Sequence, residues 1–252
     1  TEHLKRKLAN IKKQIEPRPV DKVVTQIYDG LYISNNICRI DQLSKAYDEQ
    51  IILMDLTFEI HKGDRLAIIG PNGIGKSTLI RMLTRQEEPD HGRVIWEGGM
   101  KPTCFNEVLE NLDPDESVTK YINFRGMAYG AARKHVNRFL GLLRFSELDL
   151  QRKIRNLSGG EKARVALAEC LLSGAAVVVL DEPTNHLDIT TTQAIERALI
   201  HFPGAVVVAS HDRFFIDKIA NRLLVFEGEA ELRMVEGNWA TWQAQVATVD
   251  EA

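Results

Sequence analysis

Gly70-Pro71-Asn72-Gly73-Ile74-Gly75-Lys76-Ser77-Thr78 decides the reading of this 252-residue chain. The stretch fits Gly-x-x-x-x-Gly-Lys-Ser, a loop whose backbone amides converge on phosphate oxygens. Before it, Arg65-Leu66-Ala67-Ile68-Ile69 is short, apolar and β-branched, the pattern of a buried strand. After it, Thr78-Leu79-Ile80-Arg81-Met82-Leu83 reads as a helix whose N-terminal dipole favours an anion. Lys76 is expected to reach the β- and γ-phosphates, and Ser77 to offer its hydroxyl to Mg²⁺.

Two further apolar strands end in chemistry. Ala175-Ala176-Val177-Val178-Val179-Leu180 runs straight into Asp181-Glu182, at the strand end where open α/β sheets place ligands. Adjacent carboxylates repel, and a bound Mg²⁺ relieves the conflict. Asp181 is expected to hold the metal and Glu182 to orient or deprotonate the attacking water. Ala205-Val206-Val207-Val208-Ala209-Ser210 leads to His211, expected at the neighbouring strand end as a γ-phosphate contact. Leu157-Ser158-Gly159-Gly160-Glu161 opens a helix expected to begin at Glu161, with Ser158 as its cap and an N-terminus able to receive an anion.

With these segments in hand, residues from about 37 to about 235 resemble an ATP-binding-cassette nucleotide-binding domain. The resemblance implies an α/β phosphate-loop NTPase core with an antiparallel β lobe and an α-helical lobe. It also implies that Ser158, Gly159, Gly160 and Glu161 form the signature loop that covers the γ-phosphate held by an opposite cassette. Asp181-Glu182-Pro183-Thr184-Asn185-His186-Leu187-Asp188 and Gly160-Glu161-Lys162-Ala163-Arg164 are similar to the ABC-F class. That class carries two cassettes in one polypeptide, and its members mostly act on ribosomes. Tyr47 stands where the family stacks an aromatic ring on adenine. Glu107, in Phe105-Asn106-Glu107, stands where the family has a glutamine that ligates Mg²⁺, and a shift of one residue would give the role to Asn106. Carboxylate oxygen suits the metal, while its added charge is expected to weaken ATP binding or slow turnover.

Composition bounds the rest. The net charge is −3, so the surface as a whole does not select DNA. Residues 1–19 differ, with Lys5, Arg6, Lys7, Lys12, Lys13 and Arg18 against Glu2 and Glu16, a net of +4. Leu4, Leu8, Ile11 and Ile15 recur at helical spacing there until Pro17 and Pro19. Cys38, Cys104 and Cys170 have no paired spacing, no apolar run approaches a bilayer span, and no secretory leader is visible. A reducing, cytoplasmic setting without membrane insertion is expected. Because the chain begins at Thr1, it is expected to be a trimmed or excised piece.

The resulting expectation has three parts: a basic helix over 1–19 ending an inter-cassette linker, a cassette over 20–236 with its helical lobe over about 108–157, and a helical tail over 237–252. Strands are expected at Leu31-Tyr32-Ile33, Cys38-Arg39-Ile40, Leu56-Thr57-Phe58-Glu59-Ile60 and Val94-Ile95-Trp96. A hairpin is expected from Leu223 to Val235, and Leu140, Leu143 and Phe145 are expected in the core. The chain would then be an ATPase using ATP and Mg²⁺, closed against a second cassette, with ribosome and tRNA as partners of its parent. Two alternatives are the ATPase subunit of a transporter and an ATP-gated regulatory clamp with weak hydrolysis. Stacking alone leaves ATP against GTP open.

Overall fold

The structure is a computed structural model that describes residues 34–128, 136, 140, 141, 143–185, 187–228 and 230–250. The expectations for residues 1–19, for the strand Leu31-Tyr32-Ile33 and for His186 lie outside the described residues.

β1 (Asn36–Tyr47) and β2 (Gln50–His61) pair antiparallel, and β4 (His91–Trp96) flanks β1, in the order β2-β1-β4. Alternation in β2 turns Leu56, Phe58 and Ile60 inward. The expected strands at Cys38 and Leu56 are therefore parts of two longer, twelve-residue strands, the first near the start of β1 and the second in the latter half of β2.

A six-stranded sheet carries the rest. Its order is β5 (Thr103–Cys104), β6 (Val177–Asp181), β7 (Ala205–Ala209), β3 (Arg65–Ile69), β8 (Arg222–Phe226) and β9 (Leu232–Glu236). All neighbours are parallel except the final pair. Parallel strands covered on both faces need continuous apolar runs, which is what RLAII, VVVLD and AVVVA supply. Odd and even positions then part company. Ala67, Ile69, Val178, Leu180, Val206 and Val208 face one core with Leu140, Leu143 and Phe145, as expected for those three. Leu66, Ile68, Val177, Val179, Ala205 and Val207 face a second core with β1 and β2.

The amino end of β3 is anchored by a buried cation. Arg65 donates to the carbonyls of Asp64, Gly204 and Ile200 at 3.0, 2.8 and 3.1 Å, and also to that of Phe202. Burial lowers its guanidinium to about 10, with Asp64 pulling the other way.

The helices correct several boundaries. α1 (Lys76–Leu83) starts two residues earlier than the periodicity predicts, directly at the loop lysine. Phe105, Asn106 and Glu107 form the first turn of α2 (Phe105–Glu110), which follows the two-residue β5 directly. Next come α3 (Val118–Ala128), α4 (Glu147–Gln151) and α5 (Gly159–Leu172). α5 begins at Gly159 rather than Glu161. The Ser158 hydroxyl accepts from the Glu161 N–H at 3.3 Å, and the Glu161 carboxylate accepts from the Ser158 N–H at 2.7 Å. That reciprocal pair places the helix start one residue after Ser158. The helix is buried from Val165 to Ala168 without a break, as suits a central helix. Asp188 caps α6 (Ile189–Ile200), accepting from the Thr191 N–H at 2.9 Å. α7 (Arg213–Ile219) was not expected, although its cap Asp212 follows His211 in the sequence. α8 (Trp239–Asp250) closes the described chain.

Candidate nucleotide site

Three adjacent strands end level with one another. Ile68 of β3 and Asp181 of β6 both pair with Ala209 of β7. The residues following each strand therefore gather along one sheet edge: Gly70, Glu182 and His211. Beside that edge lies a cavity of about 650 Å³. Tyr47, Asn72, Gly73, Gly75, Lys76, Ser77, Thr78, Asp181, Glu182 and His211 line it. Gly70 and Pro71 instead line a neighbouring cavity of about 550 Å³ with Trp239 and Trp242. Ile74 packs against the core of the β lobe. Ser158, Gly159, Gly160 and Glu161 line neither cavity.

All three glycines of the loop have positive φ, Gly73 at +75°, and at two of them a side chain would also clash. Gly70 has φ +151°, and a Cβ there would sit 2.7 Å from the Phe226 Cβ. Gly75 has φ +123°, and a Cβ there would sit 2.3 Å from Ile52 Cγ2. Lys76 turns back over the loop and donates to the carbonyls of Gly70 and Pro71 at 2.9 and 2.8 Å. Burial pushes its ammonium below the ordinary value, while Glu182 and Asp181 pull the other way.

Glu182 leaves β6 with φ +48°, a region a side chain rarely adopts. Its N–H donates to the Ala209 carbonyl at 2.8 Å, which holds the turn against β7. The His211 N–H donates to Glu182 Oε2 at 3.3 Å, and His211 Nε2 lies 3.3 Å from Oε1. A carboxylate and an imidazole are thus fixed side by side at the cavity wall, an arrangement able to hold or accept a proton from a bound water.

Asn106 supplies a part that sequence reasoning undervalued. Cys104 of β5 pairs with Val179, so two residues on Asn106 comes opposite Asp181. The backbone has already turned into α2 there. The Asn106 side chain replaces the missing rung, donating to the Asp181 carbonyl at 3.0 Å and accepting from its N–H at 3.3 Å. Its amide is committed to the strand. Gln50 and Ile52, which no motif marks in the sequence, also line the cavity, as does Asn185 from the segment that resembles the ABC-F class.

The donors fit a hard cation. Ser77 and Asp181 bring oxygen atoms to the same cavity, and no cluster of three or more His, Cys, Asp or Glu stands ready among the described residues. Mg²⁺ uses one or two protein oxygens plus phosphates and water, so this sparse set suits it.

Known proteins agree with this geometry. Residues 53–185 match the family described as ABC transporter. The energy-dependent translational throttle protein EttA of Escherichia coli K12 is 36% identical over 216 residues, covering 85% of this chain and 39% of that protein. The protein of the same name from Mycobacterium tuberculosis H37Rv is 34% identical over 233 residues, covering 90% and 42%. A crystal structure of the complex of archaeal ribosomal stalk protein aP1 and archaeal ribosome recycling factor aABCE1 superposes with a TM-score of 0.69 at 29% identity, covering 88% of this chain and 44% of that one. The chain spans about two fifths of the length of the curated relatives it matches. Among the described residues, no helix is long and apolar enough to cross a membrane. Phosphate loop, level strand ends and family match together make this chain a member of the ABC transporter family, built on the phosphate-loop NTPase core of an ABC ATPase.

Proposed function

We propose that this cassette binds ATP with Mg²⁺ in the 650 Å³ cavity and hydrolyses it when closed face to face on a second cassette, in an ABC-F protein that works on the ribosome. The observation that carries the proposal is the level ending of β3, β6 and β7, which sets Lys76, Ser77, Asp181, Glu182 and His211 around one cavity. In this reading the loop of residues 70–78 wraps the phosphates, and its backbone N–H groups, which Pro71 lacks, bind them together with Lys76. Tyr47 stacks on the base. Ser77 and Asp181, with Glu107, would hold Mg²⁺, which would supply positive charge to offset the negative charge developing on the phosphates. Glu182 orients the attacking water and takes its proton, and His211 keeps Glu182 in place and contacts the γ-phosphate.

The signature residues Ser158, Gly159, Gly160 and Glu161 serve the partner's nucleotide. Their separation from the cavity supports that division of labour. The chain is then the second, C-terminal cassette of its parent, comprising residues 20–236 with a helical lobe over about 108–157. Residues 1–19 end the linker toward ribosome and tRNA, and residues 237–252 form the tail. The names of the relatives, a translational throttle protein and a ribosome recycling factor, support the ribosomal setting.

Glu182→Gln in the full-length parent tests it, because ATP should bind and close the cassettes without cleavage. Co-sedimentation with ribosomes in ATP but not in ADP is expected. No association in either nucleotide overturns the ribosomal reading and promotes the transporter subunit. Separately, Glu107→Gln is expected to keep or raise ATPase turnover. A loss of more than about tenfold removes Glu107 from the proposed metal set.

A further inference from the structure

Tyr47 ends β1 beside the cavity, and its hydroxyl is not left to solvent. It donates to Glu87 Oε1. Arg81 Nη2 donates to the same hydroxyl at 3.3 Å, and Arg81 Nε donates to Glu87 Oε2 at 2.9 Å. Arg81 belongs to α1, the helix that opens with Lys76 and Ser77, and its Nη2 also donates to Thr78 Oγ1 at 3.1 Å. Lys45 stands over the Tyr47 ring, 5.5 Å from its centroid, and reaches Glu87 and Asp90 at 3.4 and 3.0 Å. Asp90 in turn accepts from the Ala46 N–H at 2.8 Å.

We propose that Arg81 and Glu87 are positioning residues for the nucleobase, fixing the Tyr47 ring at a set distance from the helix that receives the phosphates. The inference rests on the reading that Tyr47 stacks on the base. A tyrosine at a strand end would otherwise sample several rotamers, and binding would have to order it. Here the ring is held at its hydroxyl end by two groups, one of them on the phosphate helix itself. Lys45 sits over the ring from its own strand. Base platform and phosphate loop therefore form one rigid span matched to a nucleoside triphosphate. Burial works against the Glu87 charge, but the Tyr47 hydroxyl, Arg81 and Lys45 outweigh it and leave the carboxyl below its ordinary range.

The test compares ATP with inorganic tripolyphosphate, which has no base, by calorimetric titration of the chain and its Tyr47→Ala, Glu87→Ala and Glu87→Gln variants. Glu87→Ala is expected to weaken ATP roughly three- to tenfold and leave tripolyphosphate unchanged. Glu87→Gln keeps an acceptor for the hydroxyl and should recover part of that loss. In a Tyr47→Ala background, Glu87→Ala should add nothing further, since both act through one ring. If Tyr47→Ala leaves ATP affinity intact, the stacking reading fails and this inference goes with it. If Tyr47→Ala weakens ATP but Glu87→Ala does not, the stacking reading stands and the positioning role is overturned. Equal weakening of both ligands by Glu87→Ala also overturns it, because the residue would then act on the phosphate helix or the fold.

Discussion

Asn106→Ala removes the side-chain rung that extends β5 along β6. Two bonds go at once, the 3.0 Å donation to the Asp181 carbonyl and the 3.3 Å acceptance from its N–H. Each is worth about 1 kcal/mol net, and a half-buried Asp181 backbone left without partners adds a partial desolvation cost, so the total is about 2–3 kcal/mol. For a chain of this size, that corresponds to a fall in Tm of roughly 5–10 °C. The functional effect follows from place. β5 pairs with β6 only through Thr103 and Cys104, so Asn106 is what holds the carboxyl end of β6 on that side. Loosening it lets the Asp181 carboxylate drift from the cavity, and ATPase turnover should drop about tenfold. Asn106→Asp is a sharper probe. It keeps an acceptor for the Asp181 N–H but sets a second oxygen against the Asp181 carbonyl, so at neutral pH it should be no better than alanine. Calorimetric melting and a coupled phosphate-release assay read the two effects. A Tm within about 1 °C of the parent together with unchanged turnover would refute the reasoning.

Three other outcomes are expected. Gly75→Ala combines φ +123° with a Cβ 2.3 Å from Ile52 Cγ2, and should cost about 3 kcal/mol in urea unfolding; adding Ile52→Ala should return the steric share but not the torsional one. Burial opposes the Glu161 charge, but Ser158 and Arg152 outweigh it and hold the carboxyl below its ordinary 4.5. Its contribution is therefore complete above pH 4.5 and lost as pH falls through the lowered value. Glu161→Gln should cost about 1 kcal/mol at pH 7, and its urea midpoint should converge with the parent's in acid. Burial, then the hydrogen bond to Glu169, pushes the Tyr121 phenol above its ordinary 10, so its contribution is full below pH 10 and lost as pH rises further. Tyr121→Phe should cost about 1 kcal/mol at neutral pH and flatten the alkaline limb of a stability profile, whereas a parallel profile would refute the assignment.

Fold and site are legible in the sequence where one short segment carries both structure and chemistry. RLAII before the phosphate loop, VVVLD before Glu182 and AVVVA before Ser210-His211 are each too short and too apolar for a helix of their own, and each becomes a central strand. The signature segment read correctly as a capped helix start, but Glu161 was mistaken for the first helical residue when it is the reciprocal partner of the Ser158 cap. What stayed hidden depends on pairings between distant segments. Nothing near Asn106 says that β5 stops after two residues, so its match to Asp181, 75 positions away, was invisible. Glu87 and Arg81 look like ordinary charges on a helix and the loop after it until β1 is folded beside them. Arg65 was read as part of an apolar strand, and only the return of residues 200–204 gives its guanidinium a place.

The two-faced sheet has a thermodynamic consequence. Leu66 and Ile68 belong to one core, Ala67 and Ile69 to the other, and β6 and β7 repeat the division. Each five-residue strand is a party wall shared by two rooms. Melting the β lobe alone would strip one side of that wall to water while its other side still had to pack, so neither half gains by leaving first. The described body should therefore unfold in one step, with probes on Trp96 in the β lobe and Trp239 beside the helical core losing signal at a single midpoint.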